Sequence, residues 1–156
     1  MPRLINSDKS VYRIFDANLN RAKEGLRVCE EVARFTLNNR RLTAEFKLLR
    51  HSIDGPALKL SAKHSLTRYR NSPSDVGKEI HTGEFKRNTW EDIMFANIQR
   101  AKESVRVLEE FSKLIDKNAA IGFKHLRYNI YNTEKKANRL IGLYKNSHDT
   151  ARACKK

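Results

Sequence analysis

The string Asn-x-x-Arg-Ala-Lys-Glu-x-x-Arg-Val-x-Glu-Glu occurs twice, at residues 18–31 and 97–110, and gathers the residue types best suited to chemistry. Its arginines are Arg21 and Arg27 in one copy and Arg100 and Arg106 in the other. Each carries a planar fork of donors that matches a carboxylate or phosphate through two bonds at once. Further along, Arg50-His51 and Arg127-Tyr128 occupy equivalent places in the two halves, with Tyr131 and Glu134 on the face of Arg127. Several convergent arginines point to a phosphorylated substrate. Tyr128, Tyr131 and Tyr144 have the shape either to stack on a base or to pack in a core. Glu24, Arg27 and Glu31, matched by Glu103, Arg106 and Glu110, stand at helical spacing and read as surface ion pairs.

These residues must be positioned by helices. Residues 17–35 aligned with 96–114 give ten identities in nineteen positions, so the chain is internally duplicated. A second echo pairs the segment from Phe46 with that from Phe123, so each half is a long helix followed by another helix. Phe15, Leu19, Ala22, Leu26, Cys29 and Ala33 fall at alternating steps of four and three, as do Met94, Ile98, Ala101, Val105, Leu108 and Ser112. Strand-like alternation is nowhere sustained. The fold class expected is all-α, a single-domain helical bundle over residues 1–150 with repeats at about 11–60 and 90–144 and a basic tail at 151–156.

Boundary signals agree. Ser7-Asp8 suits the start of the first long helix, and Thr89 with Glu91 and Asp92 the start of the other. Asn38-Asn39 and Asp116-Lys117-Asn118 mark the turns after them. The second helices are expected at about 42–53, stopped by Asp54-Gly55-Pro56, and at about 119–144. Residues 66–87, with Arg70, Asp75, Gly77 and His81-Thr82-Gly83, show no helical stripe and read as a long loop. Long ordered loops in small domains are commonly functional, the alternative here being a mere connector between repeats.

On a helical wheel Asn18 and Arg21 fall inside the apolar arc of the first long helix, as do Asn97 and Arg100 in the second. Polar groups on a packed face need partners. Two readings follow: a buried polar network between the repeats, partnered by Glu24, Glu103 or helix-end carbonyls, or a cleft between the halves that binds an anion, with Gly25 and Ser104 leaving room.

Composition narrows the classes. A formal charge of +14 favours nucleic acid, phosphorylated metabolites or a membrane surface as partners. No apolar run approaches the ~20 residues of a membrane span, and no secretory segment opens the chain, so a cytoplasmic protein is expected. Arg152, Lys155 and Lys156 read as a disordered basic tail. Cys29 in the apolar stripe and Cys154 near the end make neither a disulfide framework nor a zinc site, and Cys29 reads as a core residue. The five histidines lack ligand spacing, and no Walker A, GxGxxG, GxSxG or HExxH pattern occurs.

The segment Arg13-Ile14-Phe15-Asp16-Ala17-Asn18-Leu19-Asn20-Arg21-Ala22-Lys23-Glu24-Gly25-Leu26-Arg27-Val28 closely resembles the opening of a helical domain fused ahead of thiamine-phosphate synthase in some bacteria. That domain has been assigned as a kinase of hydroxymethylpyrimidine phosphate. The likeness extends through Leu49-Arg50-His51, the loop from Arg70 to Gly77, the second long helix and Arg127-Tyr128-Asn129-Ile130-Tyr131.

The resemblance implies phosphoryl transfer from ATP to the phosphate of the pyrimidine, with Mg²⁺ as the metal. Such chemistry needs anion clamps and alignment more than a strong base. On that footing Arg21, Arg100 and Asp75 are the catalytic candidates. Asn18, Arg27, Arg50, Arg70, Asn97, Arg106, Arg127 and Tyr128 are the candidates for binding substrate phosphate. Asp75 is the first choice for Mg²⁺, with Glu24 and Glu103 behind it. Asn71 stands where the family pattern leads us to expect Asp. The partners implied are the phosphorylated pyrimidine, a nucleotide and a separate thiamine-phosphate synthase, with a homodimer allowed and no membrane. The competing readings are a basic helical nucleic-acid-binding module, which would expose its arginines in a stripe, and a non-catalytic partner in the thiamine pathway.

Overall fold

The apolar steps of four and three become one continuous buried stripe. In the computed structural model, which describes residues 7–61, 65–79 and 86–153, Phe15, Ala22, Leu26, Cys29 and Ala33 are fully buried on the first long helix, α1 (Ser7–Glu31), and its continuation. After α1 a wider turn, Val32–Thr36, closes with Leu37 N–H bonded to the carbonyl of Val32 at 3.0 Å. Asn38 then takes a positive φ of 47°, a conformation that Asn tolerates better than most residues. Asn39 caps α2 (Arg40–Ser52), its side chain accepting from Leu42 N–H at 2.8 Å.

Helix α2 ends beside the stop expected at Asp54-Gly55-Pro56, but the helical region goes on. After a break at Ile53 these residues open α3 (Asp54–Ser61). Proline is tolerated in a first turn because its missing N–H would have no intrahelical partner there, and Asp54 suits the positive end of the helix dipole. A short 3₁₀ turn, Leu66–Tyr69, follows and packs on α1, so the inter-repeat segment is not wholly irregular. His81, Thr82 and Gly83 lie outside the described residues.

The second copy of the repeated string lies on α4 (Trp90–Ser112). Thr89 accepts from Asp92 N–H while Asp92 accepts from the N–H groups of Asn88 and Thr89, a reciprocal cap that satisfies donors the helix itself cannot. Backbone hydrogen bonding holds the Asp92 carboxyl below its ordinary range. Asp116 accepts from Ala119 N–H and helps start α5 (Lys117–Ala153). This helix runs past the expected end near Tyr144 and takes in Arg152, while Cys154, Lys155 and Lys156 lie outside the described residues.

Among the described residues every regular element is helical, an all-α architecture. Helices α1 and α4 form the central pair, α2 packs on α1 and α5, and α5 covers α4 and α3. Gly25 lies against Asn97 and Ala101, and the Cys29 Sγ donates to the carbonyl of Met94, so the pair is antiparallel. The equivalent residues Ala22 and Ala101, both fully buried, then fall near the middle of the crossing, on the pseudo-two-fold axis. A β-carbon on Gly25 would stand 2.7 Å from the Asn97 carbonyl oxygen, which is why this position holds glycine. No described helix is long and apolar enough to cross a membrane.

Candidate functional site

The site is assembled where the inter-repeat segment folds back on α1. Tyr69 stacks on Tyr12 with ring centroids 5.1 Å apart and an interplanar angle of 18°. One residue later Arg70 grips Asp16 with two hydrogen bonds, Nε at 2.6 Å and Nη2 at 2.8 Å. The hydrogen bond to Asp16 raises the Arg70 pKa still further above neutrality. Beyond it the loop supports itself. Asp75 Oδ1 accepts from Gly77 N–H at 2.8 Å, and the Lys78 ammonium donates to the Pro73 carbonyl at 2.7 Å.

Between this loop and the N-terminal half of α1 lies a cleft of about 510 Å³. Three guanidinium groups line it, Arg13, Arg21 and Arg70, against two carboxylates, Asp16 and Asp75. The remaining polar lining comes from Ser10, Asn18, Asn20, Asn71 and Ser72. Cations in excess and many neutral donors suit an anionic group, while Ile14 and Ala17 leave part of the wall apolar.

Four of the residues singled out in the sequence meet here: Asn18, Arg21, Arg70 and Asp75. Among the described residues no interior cleft opens between the repeats at Gly25 and Ala101, because α1 and α4 approach too closely there. The room left by Gly25 is filled by the Asn97 backbone, not by a ligand. Arg21 and Arg100 sit at the edge of the apolar arc and reach out to solvent, both being exposed. Asn18 and Asn97 do not pair across the interface. Each amide donates within its own helix, to Ile14 at 2.9 Å and to Ile93 at 2.8 Å.

Four other arginines expected to clamp phosphate are occupied by protein carboxylates. Arg27 bonds Glu30 at 3.2 Å and Glu31 at 2.7 Å, while Arg50 reaches Glu30 from α2 at 2.9 Å. The second repeat copies this: Arg106 bonds Glu109 at 3.2 Å and Glu110 at 2.8 Å, and Arg127 reaches Glu109 from α5 at 2.8 Å. The hydrogen bond to Glu109 raises the Arg127 pKa above its already high value. Arg27 and Arg106 do form the expected i,i+4 surface pairs. Glu30 and Glu109, both buried, are the acceptors that sequence reasoning missed.

Tyr128 is half-exposed beside Tyr131, 5.7 Å away edge to face, with the Arg127 guanidinium over its ring. It lies outside the lining of the arginine cleft. Glu103 accepts from Gln99 on the exposed face of α4, and Glu24 is exposed on α1. Among the described residues no group of three or more His, Cys, Asp or Glu is arranged to hold a metal ion. A Mg²⁺ site built by protein alone does not fit. One carboxylate completed by substrate phosphates and water does, since Mg²⁺ keeps several waters and uses one or two carboxylates. Asp75 fits that role, its Oδ2 having no hydrogen-bond partner among the described residues. Arg13 and Asp16 are cleft residues that the sequence reading left without a role. Their position within the resembling segment was the only signal.

Fold and cleft together define a class, a duplicated all-α protein with an arginine-lined cleft between α1 and the inter-repeat segment. Within that class the chain belongs to the ThiD2 family, whose model matches residues 13–136. It is 44% identical over 127 residues to the thiamine-phosphate synthase of Nostoc punctiforme, covering 80% of this chain and 34% of that protein. It is 43% identical over 129 residues to the thiamine-phosphate synthase of Synechocystis, covering 82% and 36%. That of Rhodopirellula baltica is 38% identical over 126 residues, covering 80% and 33%. The chain thus spans about a third of the length of the curated relatives it matches. No solved structure matches it.

Proposed function

We propose that the protein acts in thiamine biosynthesis as an ATP-dependent kinase of hydroxymethylpyrimidine phosphate. The observation that carries this reading is the convergence of Arg13, Arg21, Arg70 and Asp75 on one cleft inside the segment that matches the family. The nucleic-acid reading draws less support, because Arg27, Arg50, Arg106 and Arg127 are bound to carboxylates rather than offered as a free stripe.

In the reaction an oxygen of the substrate's phosphate attacks the γ-phosphorus of ATP. The bond to the β–γ bridging oxygen breaks, and ADP departs with that oxygen. The nucleophile needs no strong base, since a phosphate monoester is largely doubly ionised above its second pKa of about 6. What the protein must supply is alignment and positive charge. Arg13 and Arg21 on α1 face the loop that carries Arg70 and Asp75, so a phosphate between them is held from two sides. Mg²⁺, when held by Asp75 and the nucleotide, neutralises charge on the transferred group. We take a separate thiamine-phosphate synthase, the name that the relatives carry, as the consumer of the diphosphate.

The test is a coupled assay of the purified chain with ATP, Mg²⁺ and hydroxymethylpyrimidine phosphate, the diphosphate being identified by mass. Product that depends on all three, lost in Asp75→Ala, is expected. Folded protein that binds the pyrimidine phosphate but makes no diphosphate would favour a non-catalytic partner instead.

A further inference from the structure

Asp16 and Arg70 divide their work unequally. The Asp16 side chain is only 10% exposed, and both of its oxygens are taken by Arg70. It has little to offer a ligand directly. The Arg70 side chain is 45% exposed and lines the cleft, and among the described residues its Nη1 has no hydrogen-bond partner. The second repeat has Phe95 at the position of Asp16, and the inter-repeat turn packs on α1, the helix that carries the carboxylate.

We propose that Asp16 is a positioning residue that fixes the Arg70 guanidinium so that its remaining N–H edge meets a phosphoryl oxygen of the ligand. This rests on reading the cleft as the site for the phosphorylated pyrimidine. A free arginine loses much rotamer freedom when it binds an anion, whereas one already held by a two-pronged carboxylate bond does not. The planar fork matters here. Asp16 engages one edge of the guanidinium and leaves another for phosphate, which a lysine ammonium cannot reproduce.

A double-mutant cycle tests this through affinity rather than turnover. Hydroxymethylpyrimidine phosphate is titrated calorimetrically into the wild type, Asp16→Asn, Arg70→Ala and the double variant, each checked for helix content. Asp16→Asn is expected to weaken binding about 10-fold, the order of one charge-assisted hydrogen bond. The double variant should bind no worse than Arg70→Ala, because Asp16 acts only through Arg70. An Asp16→Asn chain with wild-type affinity overturns the inference and leaves the cleft as the site. So does an Asp16 penalty that persists without Arg70. A wild type that does not bind the ligand removes both. If the Asp16 variants fail to fold, Arg70→Lys carries the test: a similar loss, about 10-fold, is expected, and undiminished affinity contradicts the proposal.

Discussion

The two repeats share a frame and differ in what they put on it. Ala22 and Ala101 cross at the axis, and Arg27–Glu30–Arg50 is copied by Arg106–Glu109–Arg127 to within about 0.1 Å in each matched ion-pair distance. The outer faces diverge. On α1 Asp16 receives Arg70 and a loop that walls a cleft, while the equivalent place on α4 is Phe95, 41% exposed. On the duplicated scaffold, the differences at Arg13 (Asp92 in the second repeat) and Asp16 (Phe95), together with one connecting segment, make the two faces unequal. Changes to the frame should therefore have matched consequences in both repeats, and changes to the site should not.

The largest stability effect expected comes from the buried carboxylates. Glu30→Gln and Glu109→Gln each leave two arginines without the charge they share, at a cost of about 3 kcal/mol. Urea unfolding should give similar losses for the two, and a loss in one alone would break the equivalence of the frames. Gly25→Ala comes next. Its β-carbon meets the Asn97 carbonyl at 2.7 Å and must push α1 from α4, costing about 2 kcal/mol. The equivalent Ser104→Ala, which only trims a buried side chain, should cost under about 1 kcal/mol.

Cys29, whose counterpart is Leu108, gives a pH test. Burial pushes its thiol from 9.0 up to about 12. The folded protein thus keeps a proton that the unfolded chain gives up, so this contribution is intact below pH 9.0 and is lost as pH rises toward 12. Wild type should lose roughly 1 kcal/mol more stability than Cys29→Ala between pH 8 and pH 10. Equal slopes would mean that the thiol is reached by water. The smallest effect is Thr89→Ala, about 0.5–1 kcal/mol for the lost cap. In hydrogen exchange it should loosen the first turn of α4 while leaving α1 unchanged.

Periodicity made most of the frame legible. The four-and-three steps locate α1 and α4, the chemistry of Thr89 marks where α4 begins, and Asn38-Asn39 marks the turn before α2. Asp54-Gly55-Pro56 marks the end of α2 but hides the start of α3, because proline that stops one helix also suits the first turn of the next. The site was legible in part. The sequence names Asn18, Arg21, Arg70 and Asp75 by residue type and resemblance, but it puts Asn18 and Arg21 in a cleft between the repeats and Arg70 and Asp75 on the loop that joins them. A wheel treats one helix at a time. It places Arg21 within the apolar arc and cannot see a long side chain leaving at the edge. Nor does it show that Glu30 is buried because Arg50 arrives from α2, or Asp16 because Arg70 arrives from 54 residues away.

The central claim is that the ligand site is built on α1 and the inter-repeat segment, without the second repeat. Arg21 and Arg100 are equivalent in sequence and both exposed, yet only Arg21 lines the cleft. The most direct test measures diphosphate formation from hydroxymethylpyrimidine phosphate by Arg21→Ala and Arg100→Ala side by side. Losing a phosphate-stabilising cation should slow Arg21→Ala on the order of 100-fold, with Arg100→Ala staying within about 2-fold of wild type. Equal losses in the two variants would contradict the account.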